Sequence, residues 1–213
     1  MKLVFAFLFL LYSCLSFSQE KSNKLIITFQ KYITGDFDNS EQVVAEIKAG
    51  KQIHPLAIHV NRVASNKIKN LPADFNGFFI IEESYYLNEG KPVDIKPFLF
   101  LFQAKGKNEV QLTVYQIPEG IKKEEFRNDN ENLAIDYNML KPSPTFKGAV
   151  YTWNAKAKTF STNAPNDLDN GLKFTLIETF TANELSVMEL LEKDGKHLTA
   201  YDTPIIYKRK VKP

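Results

Sequence analysis

The sequence predicts an all-β protein, an antiparallel β-barrel preceded by one or two short helices. Three observations carry this. From residue 53 onward, apolar residues recur mostly at period two in short runs. Turn residues separate those runs at near-regular spacing. Only the stretch before residue 50 shows helical periodicity. Such a pattern fits a sandwich or a barrel, and closure into a barrel is the better solution because it removes the edges that long hydrophobic strands would expose.

The elements follow in order. Leu25, Phe29, Tyr32 and Ile33 lie at i, i+4, i+7 and i+8, the spacing of an amphipathic helix, although this Ile-rich stretch also fits a strand. Gly35 ends it, and Asp36 to Ser40 reads as a turn into a second helix. Asp38 with Glu41, or Asn39 with Gln42, has capping-box spacing. Val43, Val44 and Ile47 form the buried face of that helix, and Gly50 suits the position past its end. Strands are expected at Ile53 to Val63, Gly77 to Leu87, Phe98 to Phe102 and Val110 to Tyr115, the last two joined by a hairpin through Lys105 to Asn108. Further strands are expected at Lys147 to Trp153, Thr159 to Thr162, Leu172 to Phe180, Glu184 to Glu192 and Leu198 to Tyr207. Asp194-Gly195 is the strongest turn signal, and Pro118 to Pro144 reads as a short helix and a loop.

The first residues speak to compartment. Lys2, the apolar run Leu3 to Leu11 and the small residues Ser16 and Ser18 have the layout of a secretory signal peptide over residues 1–18, leaving a single domain over 19–213. The run is about half of the roughly 20 residues a membrane span needs. Export to the periplasm or the extracellular space is the expectation. A buried N-terminal helix and a lipid anchor through Cys14 are the alternatives. If the cut follows Ser18, the mature chain has no cysteine, hence no disulfide, thiolate metal site or Cys nucleophile. No second apolar run approaches membrane length, so no transmembrane span is expected in the mature chain.

The 27 Lys and Arg nearly balance the 25 Asp and Glu, which leaves no electrostatic footprint for nucleic acid. The basic tail at Lys208, Arg209, Lys210 and Lys212 reads as a solvated terminus. No P-loop, dinucleotide fingerprint or nucleophile elbow is present. His54, His59 and His197 lack metal-site spacing and read as ordinary surface or satisfied core histidines, so no metal is expected.

Residues 35 to 42, Gly-Asp-Phe-Asp-Asn-Ser-Glu-Gln, resemble the G-x-F-x-N-x-x-Q signature of CpcT/CpeT-like chromophore (phycobilin) lyases. Phe79 to Glu83 looks like that family's L-Y-V-E-Q strand, and Pro97-Phe98-Leu99 falls where it has P-Y-R. Phe146-Lys147-Gly148 echoes its F-x-G element, and Pro204 to Lys208 its closing strand. The resemblance implies a calycin-like, lipocalin-shaped barrel that holds an open-chain tetrapyrrole, a bilin, and attaches it to a cysteine of an acceptor protein. This chain departs from the pattern. Leu99 replaces an Arg suited to a bilin propionate, Glu83 replaces Gln, the paired cysteines around the F-x-G element are missing, and the Asp-Arg-Gly segment is not recognisable.

Candidate site residues follow. Asn39 and Gln42 match the signature and are either polar contacts at the barrel mouth or a helix cap. Glu82 and Glu83 are strand neighbours, so one of them faces inward, where a carboxylate is costly unless paired or protonated. Glu82 is the choice for a catalytic acid because it matches the family's Glu. Glu83 is kept as a ligand contact. Tyr85, Tyr86, Tyr115 and Trp153 would line a pocket for a flat ligand or serve as packing. Three functions remain open: a barrel binding a small apolar or tetrapyrrole-like ligand, with no cofactor required; a bilin lyase with Glu82 as proton donor; or a cell-envelope interaction protein with a filled barrel, which would show an exposed apolar patch or a homodimer surface.

Overall fold

The computed structural model describes residues 24–87 and 94–211. The segment expected to be a signal peptide, with Cys14, lies outside them. Helix α1 (24–33) leads into β1 (Gly35–Asp38), α2 (Ser40–Lys48) and β2 (Leu56–Val63). Then come β3 (Ile68–Lys69), β4 (Phe78–Leu87), β5 (Asp94–Ala104), β6 (Glu109–Tyr115) and β7 (Ile135–Asp136). The chain finishes with β8 (Ala149–Asn154), β9 (Thr159–Asp167), β10 (Leu172–Phe180), β11 (Glu184–Lys193), β12 (Lys196–His197) and β13 (Ile205–Arg209).

Among the described residues ten strands close into an antiparallel barrel, in the order β10-β9-β8-β6-β5-β4-β2-β1-β13-β11, with β11 pairing back onto β10. The expected barrel with short N-terminal helices is therefore the observed fold. The period-two pattern sets the faces. Ala57, His59 and Asn61 of β2 point inward, as do Leu176, Glu178 and Phe180 of β10. Asp194 and Gly195 both adopt positive φ, 52° and 75°, as a type I′ hairpin turn requires.

β4 is buried on both faces from Phe78 to Ile81. Its outward residues Phe79 and Ile81 join Leu99 and Leu101 of β5 in a second core, covered by Phe126, Leu133 and Ile135. This explains why the strand reads as a continuous apolar run rather than an alternating one. The expected helix between Pro118 and Pro144 is replaced by turns, β7 and a single 3-10 turn at Tyr137–Met139. The segment is held by its own apolar residues lying flat against the barrel's outer wall. The expected turn at Asp36 to Ser40 is likewise mostly strand, because β1 finds partners on both sides in β2 and β13.

One end of the barrel is filled by α1. Phe29 is fully buried and its ring centre lies 4.8 Å from those of Phe102 and Phe160, 5.0 Å from Phe180 and 5.3 Å from Tyr151. Arg209 fastens the plug. Its guanidinium donates to the α1 carbonyls of Lys31 (3.2 Å) and Tyr32 (2.6 Å) and to that of Thr34, satisfying acceptors left open at a helix C-terminus. Gly35 has φ +142°, which favours glycine, and a Cβ there would sit 2.2 Å from Arg209 Nη1, so a larger residue would have to push the guanidinium off the carbonyls it holds.

Candidate functional site: an acidic cavity inside the barrel

Beyond the plug the barrel is hollow. A cavity of about 520 Å³ lies between Ile33 at the end of α1 and the opposite mouth, where exposed Gln116 and Thr145 form a polar rim. Its wall is largely apolar, with Phe98, Phe100, Phe102, Leu112, Val114 and Phe174 prominent. Three carboxylates and one imidazole break that wall: Glu82, Glu178, Glu189 and His59.

Each arrives by strand alternation. Glu82 follows Phe78 and Ile80 on the inward face of β4, Glu178 sits between Leu176 and Phe180 on β10, and Glu189 continues Leu185 and Val187 on β11. His59 lies on β2, its Nδ1 3.4 Å from Glu82 Oε1 and its Nε2 3.0 Å from the Tyr207 hydroxyl. Ser84 donates to Glu82 Oε1 at 3.2 Å. The Tyr151 hydroxyl donates to Glu178 Oε2. The Glu189 backbone carbonyl accepts from the Thr199 hydroxyl at 3.0 Å, while its carboxylate accepts from no described residue.

This setting decides the ionisation. Burial raises Glu178 to about 7; the charges of Glu82 and Glu189 add to this, against the Tyr151 hydrogen bond and His59. Burial also raises Glu189, with Glu82 adding, while His59 and Lys96 oppose. For His59, burial disfavours the charged ring, but Glu82, Glu178 and Glu189 outweigh it and the pKa rises. Glu178 and Glu189 keep accessible surface because they border an open volume, yet the surrounding protein mass governs their protonation. Tyr151 and Tyr207 are held far above the usual phenol value, chiefly by burial, and stay neutral donors.

Of the residues singled out in the sequence, Glu82 and Tyr115 line the cavity. The others lie elsewhere. Glu83 points to the outer face, where it pairs with Arg127 at 2.9 Å, accepts from Asn128 N at 2.5 Å and from the Tyr85 hydroxyl, and anchors the segment covering β4. Tyr85 shares that face and accepts from Arg127 at 2.7 Å. Trp153 packs at the plugged end against Phe160 and Tyr32. Asn39 is buried and does not cap α2; it donates to Pro55 O and accepts from Ala57 N. Gln42 donates to Pro204 O at 3.0 Å and accepts from Ile206 N at 2.9 Å, tying α2 to β13. No capping box forms, since Asp38 accepts from Ser40 N instead. Both signature residues are staples between elements. Leu99 is buried in the outer core, away from the cavity.

The sequence reading missed Glu178, Glu189 and His59 as a group. The signal was available: each is a charged or titratable residue on the apolar phase of an alternating strand. His54, by contrast, is a satisfied buried histidine, 2.5 Å from Glu46 Oε1 and 3.0 Å from Thr203 O. Among the described residues no three His, Cys, Asp or Glu are grouped to hold a metal ion, and no helix is long and apolar enough to cross a membrane.

Fold and cavity together define a class: a closed ten-stranded antiparallel barrel, plugged at one end by a helix, with a mostly apolar internal compartment. No protein-family model matches the sequence, and no curated protein matches it. A solved structure of the CRL protein of Arabidopsis, in selenomethionine form, aligns with a TM-score of 0.55 over 89% of this chain and 99% of that one, at 10% identity. At that identity the likeness is one of fold.

Proposed function

We propose that this is an exported barrel protein that binds a small, largely apolar ligand inside its cavity. The observation that carries the reading is the 520 Å³ compartment, apolar in most of its wall and polar at a few fixed points, within the usual size range of small-molecule sites. The apolar run and small residues at the N-terminus support export. The signature at residues 35 to 42 makes a tetrapyrrole-like ligand the first one to try. The test is to purify the mature protein from its native host and identify what co-purifies by mass spectrometry, then to titrate linear tetrapyrroles and follow visible absorbance. An empty protein that binds none of a broad set of apolar compounds refutes the reading.

A second reading, a bilin lyase, draws on the carboxyl cluster. Glu178 is half-protonated near neutrality and so suited to general acid work, and Glu82 sits beside His59. An acceptor thiol would add across a C=C bond of the bound bilin: the C–S bond forms as the π bond breaks, a cavity acid protonates the neighbouring carbon, and the proton lost from the thiol restores that acid. The thiol must come from another protein. Under this reading Glu82→Gln slows attachment without abolishing binding, and no covalent adduct with any acceptor cysteine refutes it.

A further inference from the structure

We infer that the compartment is built for a ligand bearing a positive charge, an amphipathic organic cation such as a protonated amine on an apolar or aromatic body. This rests on the reading of the cavity as a ligand site and names the class of ligand.

The charge balance of the wall is the first argument. Three carboxylates border the cavity and a single imidazole faces them. His59 is committed to Glu82 and Tyr207, and Glu178 has one oxygen engaged by Tyr151. That leaves the Glu189 carboxylate and the second oxygen of Glu178 without donors among the described residues. A carboxylate that borders an apolar compartment without a partner is unfavourable, and a cation placed among these groups supplies both charge and hydrogen bonds.

A second observation is independent of the acids. Phe98, Phe100, Phe102 and Phe174 line the same wall, and aromatic rings attract cations and not anions. A metal ion does not fit, because the carboxylates are not gathered to ligate one centre. A carboxylate ligand would face three acidic groups, with His59 and the more distant Lys96 in compensation. Leu99, where the resembled family has Arg, supplies none, being directed to the outer core.

The test uses the full mature chain and three probes of one shape: naphthylmethylamine, naphthylmethanol and naphthoic acid, measured by calorimetry near neutral pH. The expected result is an amine bound about tenfold or more tighter than the alcohol, with the acid weakest. Glu189→Gln, whose folding is checked by its melting curve, then reduces amine affinity and leaves alcohol affinity unchanged. Alcohol and acid binding as tightly as the amine overturns the charge assignment while leaving the cavity reading intact. So does an amine preference that survives both Glu189→Gln and Glu178→Gln. Binding of none of the three overturns both.

Discussion

Glu178 makes the buried cluster measurable through stability. In an unfolded chain its carboxyl loses its proton near 4.5, whereas in the folded barrel it does so at about 7. Between those values the folded protein holds a proton that the unfolded chain has released, so stability falls as pH rises through this window and the full penalty is present above 7. The gap corresponds to about 3 kcal/mol. Glu178→Gln keeps an acceptor for the Tyr151 hydroxyl and removes the charge. It should be close to neutral near pH 4.5 and stabilising by about 3 kcal/mol near pH 8. Two couplings trim that figure. Removing the Glu178 charge withdraws part of what raises His59, and Glu82, Glu189, Tyr86, Tyr151, Tyr201, Tyr207 and Lys96 all act on the same cluster. Urea unfolding of wild type and variant across this pH range measures the difference. A difference that does not change with pH would mean Glu178 titrates as an ordinary surface carboxylate, and the description of a desolvated acidic cavity would fail.

Three further outcomes are expected. Phe29→Ala should cost about 3–5 kcal/mol, read as a lower melting temperature, because it empties the centre of the aromatic plug. Glu83→Gln should cost about 3 kcal/mol by leaving the Arg127 charge without its partner, and should speed proteolysis within 118–142 while leaving the cavity's binding unchanged. Gly35→Ala should destabilise by about 2 kcal/mol or more through the collision with Arg209 and the positive φ; Arg209→Ala in the same background should recover the part due to collision, seen as a non-additive double-mutant cycle.

The architecture was legible because alternation and turn chemistry are local. Val110, Leu112 and Val114 could only be one face of a strand, and Asp194-Gly195 could only be a tight turn. What was illegible depended on partners distant in sequence. Asp36 to Ser40 reads as a turn until β2 and β13 are seen on either side of β1. Glu82 and Glu83 could be assigned to opposite faces, but which face was inside depended on the outer cover from Phe126 to Ile135. That cover also turned Tyr85 away from the cavity. Asn39 and Gln42 had capping spacing, yet the backbone groups they satisfy lie at Pro55, Ala57, Pro204 and Ile206. Glu178, Glu189 and His59 come from three strands, and no spacing rule joins them.

The clasp between Arg209 and α1 bridges up to 178 positions along the chain. The carbonyls at the C-terminal end of α1 thus lack their guanidinium donor until β13 has been made, although Phe29 can already seat among the rings of earlier strands. A chain without β13 has no closed wall, because β1 and β11 both pair with it, so closure of the barrel and fastening of its stopper wait on the same late, long-range pairing.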